Sequence, residues 1–423
     1  MTRDPVRVEV DDDLRRSRLT VFFRLLLAIP LLIWLALWTV AVLVVAVIGW
    51  VAALLLGRLP SSLHRFFAAY VRCAFQVSAY LGIVANPYPS FTGEPGYPLD
   101  VTIPEPQSQT RWKIALRLPL ALPALLLAAA LGSGFTGGGG GSAASDSQAQ
   151  WFTTSGVGGV AAICAILGWF AALATARMPN GLRDLGAFGI GYTAQAYAYL
   201  LLLTDRYPNT DPEALGPIWS LPEHPVRVEL ADDLRRSRLL VLFRFLLALP
   251  HLVWLSLWFV AAFLAAVANG VVALVRGRSA APLHRFLAAY VRYVAHVSAF
   301  LFLVANPFPG FVGAPGYPLG IAVDPPAQQR RAITFFRLPL ALPAFLVAGA
   351  LGFVLVVVGF LGWFAALFTG RMPEGLRNLG AIAIRYTAQT NAYGAILTDR
   401  YPYASPALRP AEQPEPPSVA LAS

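Results

Sequence analysis

Stretches of unbroken apolar sequence recur along this chain, separated by short charged joints. The longest, "LLLAIPLLIWLALWTVAVLVVAVIGWVAALLL", covers 25–56. Several runs exceed the ~18 apolar residues that mark a candidate membrane span. Each run is preceded by a short stretch alternating in period two, such as "VRVEV" or "LDVTI", and by an arginine-bearing lead-in. After it come "GR" or "AR", usually a proline, and a second, less apolar segment ending in "YP" or "FP". The opening "MTRDPVRVEVDDDLRRSR" is charged and β-patterned, so no cleavable signal is expected.

This anatomy occurs four times. Residues 4–38 match 224–258 at an offset of 220. A fainter match at an offset of 93 carries Pro5 onto Pro98, Arg24 onto Arg117, Pro225 onto Pro318 and Arg244 onto Arg337. Repetition is the organising fact of such a chain. It predicts a first tandem pair over 1–217 (units 5–97 and 98–216), a linker at 218–224 and a second pair over 225–410 (units 225–317 and 318–410). A Pro-rich tail, expected to be disordered, fills 411–423. Late in unit two the offset becomes 119, and the surplus of 26 residues is the Gly/Ser-rich stretch 133–158, which reads as a flexible loop.

The expected fold is all-α and integral to a membrane. Each ~93-residue unit would be a transmembrane helical hairpin plus an amphipathic helix, with short extended stretches between units. A single helix over 24–57 would measure about 51 Å, against a hydrocarbon core of about 30 Å. Arginines flank both ends of the run, and the positive-inside tendency then puts both ends in the cytoplasm. The polar insertion falls midway along the run of unit two, where a hairpin tip would accommodate it. A single tilted helix or a re-entrant hairpin is the alternative, because unit one has no turn signal near Trp38 and Thr39. The second segment of each unit carries a narrow polar stripe at helical spacing. It would lie flat at the cytoplasmic surface or insert as a third span.

Composition supports the membrane reading. Hydrophobic residues make up 57% and charged residues 13%, with a mean hydropathy of +0.61. Soluble chains carry roughly 25% charged residues. The net charge of +10 is almost all arginine, Lys113 being the sole lysine. These arginines border apolar runs, where anionic head groups attract them, so nucleic acid is not an expected partner. Arginine-, alanine- and glycine-rich usage also fits a bacterial source.

The positions filled alike in all four units are Arg18, Arg111, Arg238 and Arg331; Arg24, Arg117, Arg244 and Arg337; and Arg58, Arg177, Arg278 and Arg371. All twelve are expected to anchor at lipid head groups or at the interface. The polar stripe comprises Arg72, Arg292 and Arg385 with Gln76, Gln195 and Gln389. A charge at bilayer depth is usually functional, whereas an interfacial arginine merely snorkels. No catalytic motif, phosphate loop, His/Cys/Glu metal cluster or cofactor fingerprint occurs. Cys73 and Cys164 lie in apolar segments and read as small hydrophobes. An aromatic and a proline close every unit (Tyr88–Pro89, Tyr207–Pro208, Phe308–Pro309, Tyr401–Pro402), as an interfacial aromatic before a helix stop.

The unit-four segments "RLPLALPA", "GWFAALFTGRMPEGL" and "YTAQTNAYGAILTDRYP" resemble the bacterial membrane-protein family of domain of unknown function 4389. Unit two carries "GWFAALATARMPNGL" and "LTDRYP"; units one and three end in "ANPYP" and "ANPFP", and Gly270 stands where Trp363 does. The resemblance implies tandem copies, membrane residence and no known activity. The expectation is a non-enzymatic, multi-pass protein of a bacterial plasma membrane, with cytoplasmic termini. It would organise lipid or bind a partner, and it would need no cofactor. A transporter or channel built from parallel repeats is the runner-up.

Overall fold

The computed structural model describes residues 6–10, 12–132, 159–215 and 219–408. The insertion at 133–158 and the tail at 411–423 lie outside the described residues. The chain is mostly helical, and each of the four units contributes one long rod and one inner helix.

The rods of units one and three are single helices, Arg18–Leu56 and Arg238–Arg276, of 39 residues each. Unit four has one of 33 residues, Arg337–Thr369. The hairpin expected inside each run does not form: backbone hydrogen bonding continues through Trp38 and Thr39, where no Gly, Pro or Asn breaks it. In unit two the rod is written in two pieces, Arg117–Leu131 and Val160–Thr175. Gly132 and Gly159, at the broken ends, touch through their backbones, so the insertion interrupts one rod. In units two and four a short helix, Arg111–Ala115 or Arg331–Phe335, precedes the rod. Pro119 and Pro339 supply no N–H to the carbonyls of Ala115 and Phe335, and the helix breaks there. Leu26 and Leu246 fill that place in the unbroken rods.

The inner helices, Ser61–Leu81, Asn180–Leu200, Ala281–Leu301 and Glu374–Gly394, are 21 residues long in every unit. Each turns back antiparallel along its own rod. In unit one, Gly49 meets Phe67, Thr39 Oγ1 meets Tyr70 Oη at 3.0 Å, and Arg24 reaches the Tyr80 carbonyl. The real hairpin is therefore rod plus inner helix. The inner helices form the core rather than lying on the surface, because their small residues admit close neighbours on both sides. Gly189, for example, sits against the Leu131 carbonyl and Ala161.

Within each half, the two units pair head to tail. Trp50 Nε1 donates to the Ile114 carbonyl at 2.8 Å, and Trp169 Nε1 to the Val21 carbonyl at 3.0 Å. The rods of units one and two thus run antiparallel. The extended stretches pair likewise: β1 (Arg7–Val10) with β2 (Leu99–Thr102), and β3 (Val226–Leu230) with β4 (Leu319–Val323), both antiparallel. The halves meet reciprocally too, Gly181 against Ala404 and Gly375 against Thr210.

Three layers result. Rods form one face, inner helices the middle, and the strand pairs with their loops the other face. Gly93 and Gly313 let the loop after the inner helix press down on it. Both have positive φ, and a Cβ there would stand within 2.4–2.5 Å of the Ala69 or Ala289 carbonyl.

Candidate functional site

A fourfold arginine–aromatic stack closes every unit. Arg24 lies over the Tyr80 ring (4.4 Å to its centroid), Arg117 over Tyr199 (4.0 Å), Arg244 over Phe300 (4.5 Å) and Arg337 over Tyr393 (4.5 Å). The unit's terminal aromatic then packs edge-on against the same ring, as Tyr88, Tyr207, Phe308 and Tyr401. The guanidinium edge donates to carbonyls in the last turn of the inner helix and just beyond it. Arg337 reaches those of Tyr393 and Thr398, each at 2.6 Å, and Arg24 those of Tyr80 (2.9 Å) and Asn86 (3.3 Å). Arg117 reaches the Thr204 carbonyl at 2.9 Å, and Arg244 that of Asn306 at 3.2 Å.

These four arginines are therefore not surface anchors, as Arg24, only 1% exposed, illustrates. They staple the end of each inner helix to its rod, satisfying carbonyls that a helix terminus leaves open. Sequence reasoning missed their helpers. Arg16, Gln109, Arg236 and Gln329 occupy one register and donate to the carbonyls of Ile83, Leu202, Leu303 and Ile396. Those four acceptors hold the left-handed conformation, unusual for side chains of their size. Their shared position before each rod was the available signal.

The remaining repeated arginines are exposed at the rod ends. Each of one set caps the neighbouring unit's rod: Arg18 donates to the Ala174 carbonyl, Arg111 to Leu55, Arg238 to Phe368 and Arg331 to Val275, at 2.9–3.3 Å. A cation at a helix C-terminus meets a favourable dipole. Arg58, Arg177, Arg278 and Arg371 follow the rods in short backbone bridges and keep exposed side chains.

The polar stripe points to the strand layer. Gln195 and Gln389 donate to the carbonyls of Val6 and Val226 (3.2 and 3.1 Å), and Gln76 to that of Glu94 (2.7 Å). Arg72 pairs with Asp100 at 3.5 Å, Arg292 donates to the Ile321 carbonyl at 3.1 Å, and Arg385 to those of Ser405 and Ala407. These side chains tie the inner helices to the strands and their loops. Among the described residues, no three His, Cys, Asp or Glu converge as a metal site. Cys73 and Cys164 are buried free thiols.

The rods themselves present the largest feature. On the first, Val21, Ala28, Leu35, Val42 and Gly49 are buried at seven-residue steps, while Leu25, Val40 and Leu55 are 61–70% exposed. A thin seam faces protein, and nearly everything else is bare apolar surface. Soluble monomers rarely expose contiguous apolar patches beyond a few hundred Å². Between the halves, a cleft of about 790 Å³ lies among Pro123, Leu127, Tyr207, Asn209, Phe360 and Phe364.

These features define a four-unit helical protein, three of whose helices are long and apolar enough to cross a membrane. The chain belongs to the family described as domain of unknown function (DUF4389), which it matches over residues 18–93, 149–210, 238–312 and 331–405. No curated protein and no solved structure matches the chain.

Proposed function

We propose that this protein is a resident of the bacterial plasma membrane that organises lipid or a partner rather than catalysing a reaction. Its rod ends and termini lie on the cytoplasmic side. The observation that carries the reading is the bare apolar rod face bordered by exposed Arg18, Arg58, Arg111, Arg177, Arg238, Arg278, Arg331 and Arg371. Apolar side chains enter hydrocarbon, and the bordering guanidinium groups meet anionic phospholipids at about 1 kcal/mol each near the surface. Direct phosphate contact suits arginine, whose planar fork binds two oxygens.

A conduit through the inner helices is the weaker reading. The paired cavities between them, beside Ser78 and Thr193 and beside Ser298 and Thr387, hold about 20 and 30 Å³, room for roughly one water each.

The test is retention in the membrane. The full chain is expected to stay in the membrane pellet after an alkaline carbonate wash; release into the supernatant contradicts the reading. Replacing Arg58, Arg177, Arg278 and Arg371 by Gln is expected to weaken flotation with anionic vesicles about tenfold or more, leaving any binding to neutral vesicles unchanged.

A further inference from the structure

We infer that the rods lie along the plane of one leaflet, embedded from the cytoplasmic side, and do not cross the bilayer. The inference rests on the membrane residence proposed above and names the surface's occupant, the acyl chains and anionic head groups of a single leaflet.

The first observation is length. A rod of 39 residues measures about 58 Å. Spanning a core of about 30 Å would need a tilt of about 60°, against a usual range of roughly 0–40°. Laid flat, a helix about 10 Å across fits inside one leaflet, about 15 Å deep.

The second is where the charges sit. The strand layer does not lie beyond the rod ends; it lies over their middle. Arg72, halfway along its inner helix, contacts Asp100 of β2, and that helix meets its rod nearby where Tyr70 touches Thr39. In the second half, Arg292 likewise holds Ile321 of β4. Beside it, the ion pair Arg227–Asp324 (2.7 Å) leaves both side chains 41% exposed. If the rods crossed upright, these half-exposed charges and open two-stranded edges would stand at the bilayer midplane. A charge there costs about 2.5–3.5 kcal/mol, and lipid-exposed sheet edges do not occur at that depth. With the rods flat, the whole strand layer faces water.

The third is symmetry. Antiparallel pairing puts the start of one rod beside the end of its neighbour, so both ends of every pair carry arginine: Arg18 and Arg177 at one, Arg58 and Arg111 at the other. Crossing rods would display equal positive charge on both sides of the membrane, against the positive-inside bias. Flat rods put every arginine on one side.

The fourth is a rim of exposed aromatics at the unit ends. Tyr88, Tyr207, Phe308 and Tyr401 are 44–50% exposed, and Trp34 and Trp254 reach the neighbouring loops at the Phe91 and Phe311 carbonyls. Such residues mark the boundary between head groups and hydrocarbon.

The test uses the full chain with Cys73→Ala and Cys164→Ala. Single cysteines at the exposed positions Ser17, Ser62 and Thr102 report one rod end, the other rod end and the strand layer. Ser237→Cys repeats the first position in the second half. Right-side-out and inverted vesicles are treated with an impermeant maleimide. All positions are expected to label in inverted vesicles and none in right-side-out ones. Labelling of S17C and S62C from opposite sides would overturn the inference while leaving membrane residence intact. Loss of the protein in carbonate would instead remove the reading on which the inference rests.

Discussion

At the residue scale, the buried arginines are internal structural parts. Arg337→Met takes one donor from the Tyr393 carbonyl, which keeps the Ile396 N–H, and leaves the Thr398 carbonyl and Gln329 Oε1 without theirs, at about 1–3 kcal/mol per unpaired buried group. A clear fall in thermal midpoint in detergent is expected. Arg331→Ala removes one exposed hydrogen bond and should cost under about 1 kcal/mol. Similar losses from both variants would mean that Arg337 is not a staple. Both arginines were legible in the sequence as fourfold-repeated positions, yet their roles were not. An arginine beside an apolar run reads alike whether it turns outward to lipid or inward to a carbonyl 56 residues away, as Arg337 does.

His224 gives a pH signature. Burial is the main cause that lowers its imidazole to about 4; Arg385 and Arg400 add to this, while backbone bonds at Val226 and Arg400 oppose it. The folded chain therefore binds fewer protons than the unfolded chain between about pH 4 and pH 6.5. The neutral ring's contribution is fully present above about 6.5 and is lost progressively as pH falls toward 4, by at most about 1.4 kcal/mol per pH unit. Chemical unfolding at pH 7, 6 and 5 should show the decline, and His224→Asn should make it shallower by the share that His224 carries.

At the element scale, the sequence marked the ends of each apolar run, but it put a turn inside the run and did not show which helices make the hairpin. The seam at Val21, Ala28, Leu35, Val42 and Gly49 is hidden because the positions between those residues are apolar too. Periodicity cannot reveal a buried face where the exposed face also avoids water. The inner helices, by contrast, announced their polar stripe, but not that it would meet strands rather than solvent. Unit two offers a direct test of the interrupted rod. Deleting 133–158 joins Gly132 to Gly159 and restores the 33-residue length of Arg337–Thr369. The deletion variant is expected to keep its thermal midpoint within a few degrees and to stay in the membrane. Loss of folding would mean that the two pieces are not one rod.

At the scale of the whole molecule, four copies of one rod-and-inner-helix hairpin pair head to tail twice, and the two halves then pair again. Repetition was readable as a constant offset. The layering was not, since it depends on antiparallel contacts such as Trp50–Ile114 and Trp169–Val21 that no local pattern encodes. Layering separates an apolar rod face from a charged strand face, and the proposed seat in a single leaflet rests on that asymmetry. The measurement that tests this most directly is a depth profile along one rod. A fluorophore placed in turn at Leu26, Val40 and Leu55, all exposed, is quenched by lipids brominated at known chain depths. One common depth, within a single leaflet, is expected for all three positions. A midplane depth at Val40 with Leu26 and Leu55 near opposite surfaces would contradict it.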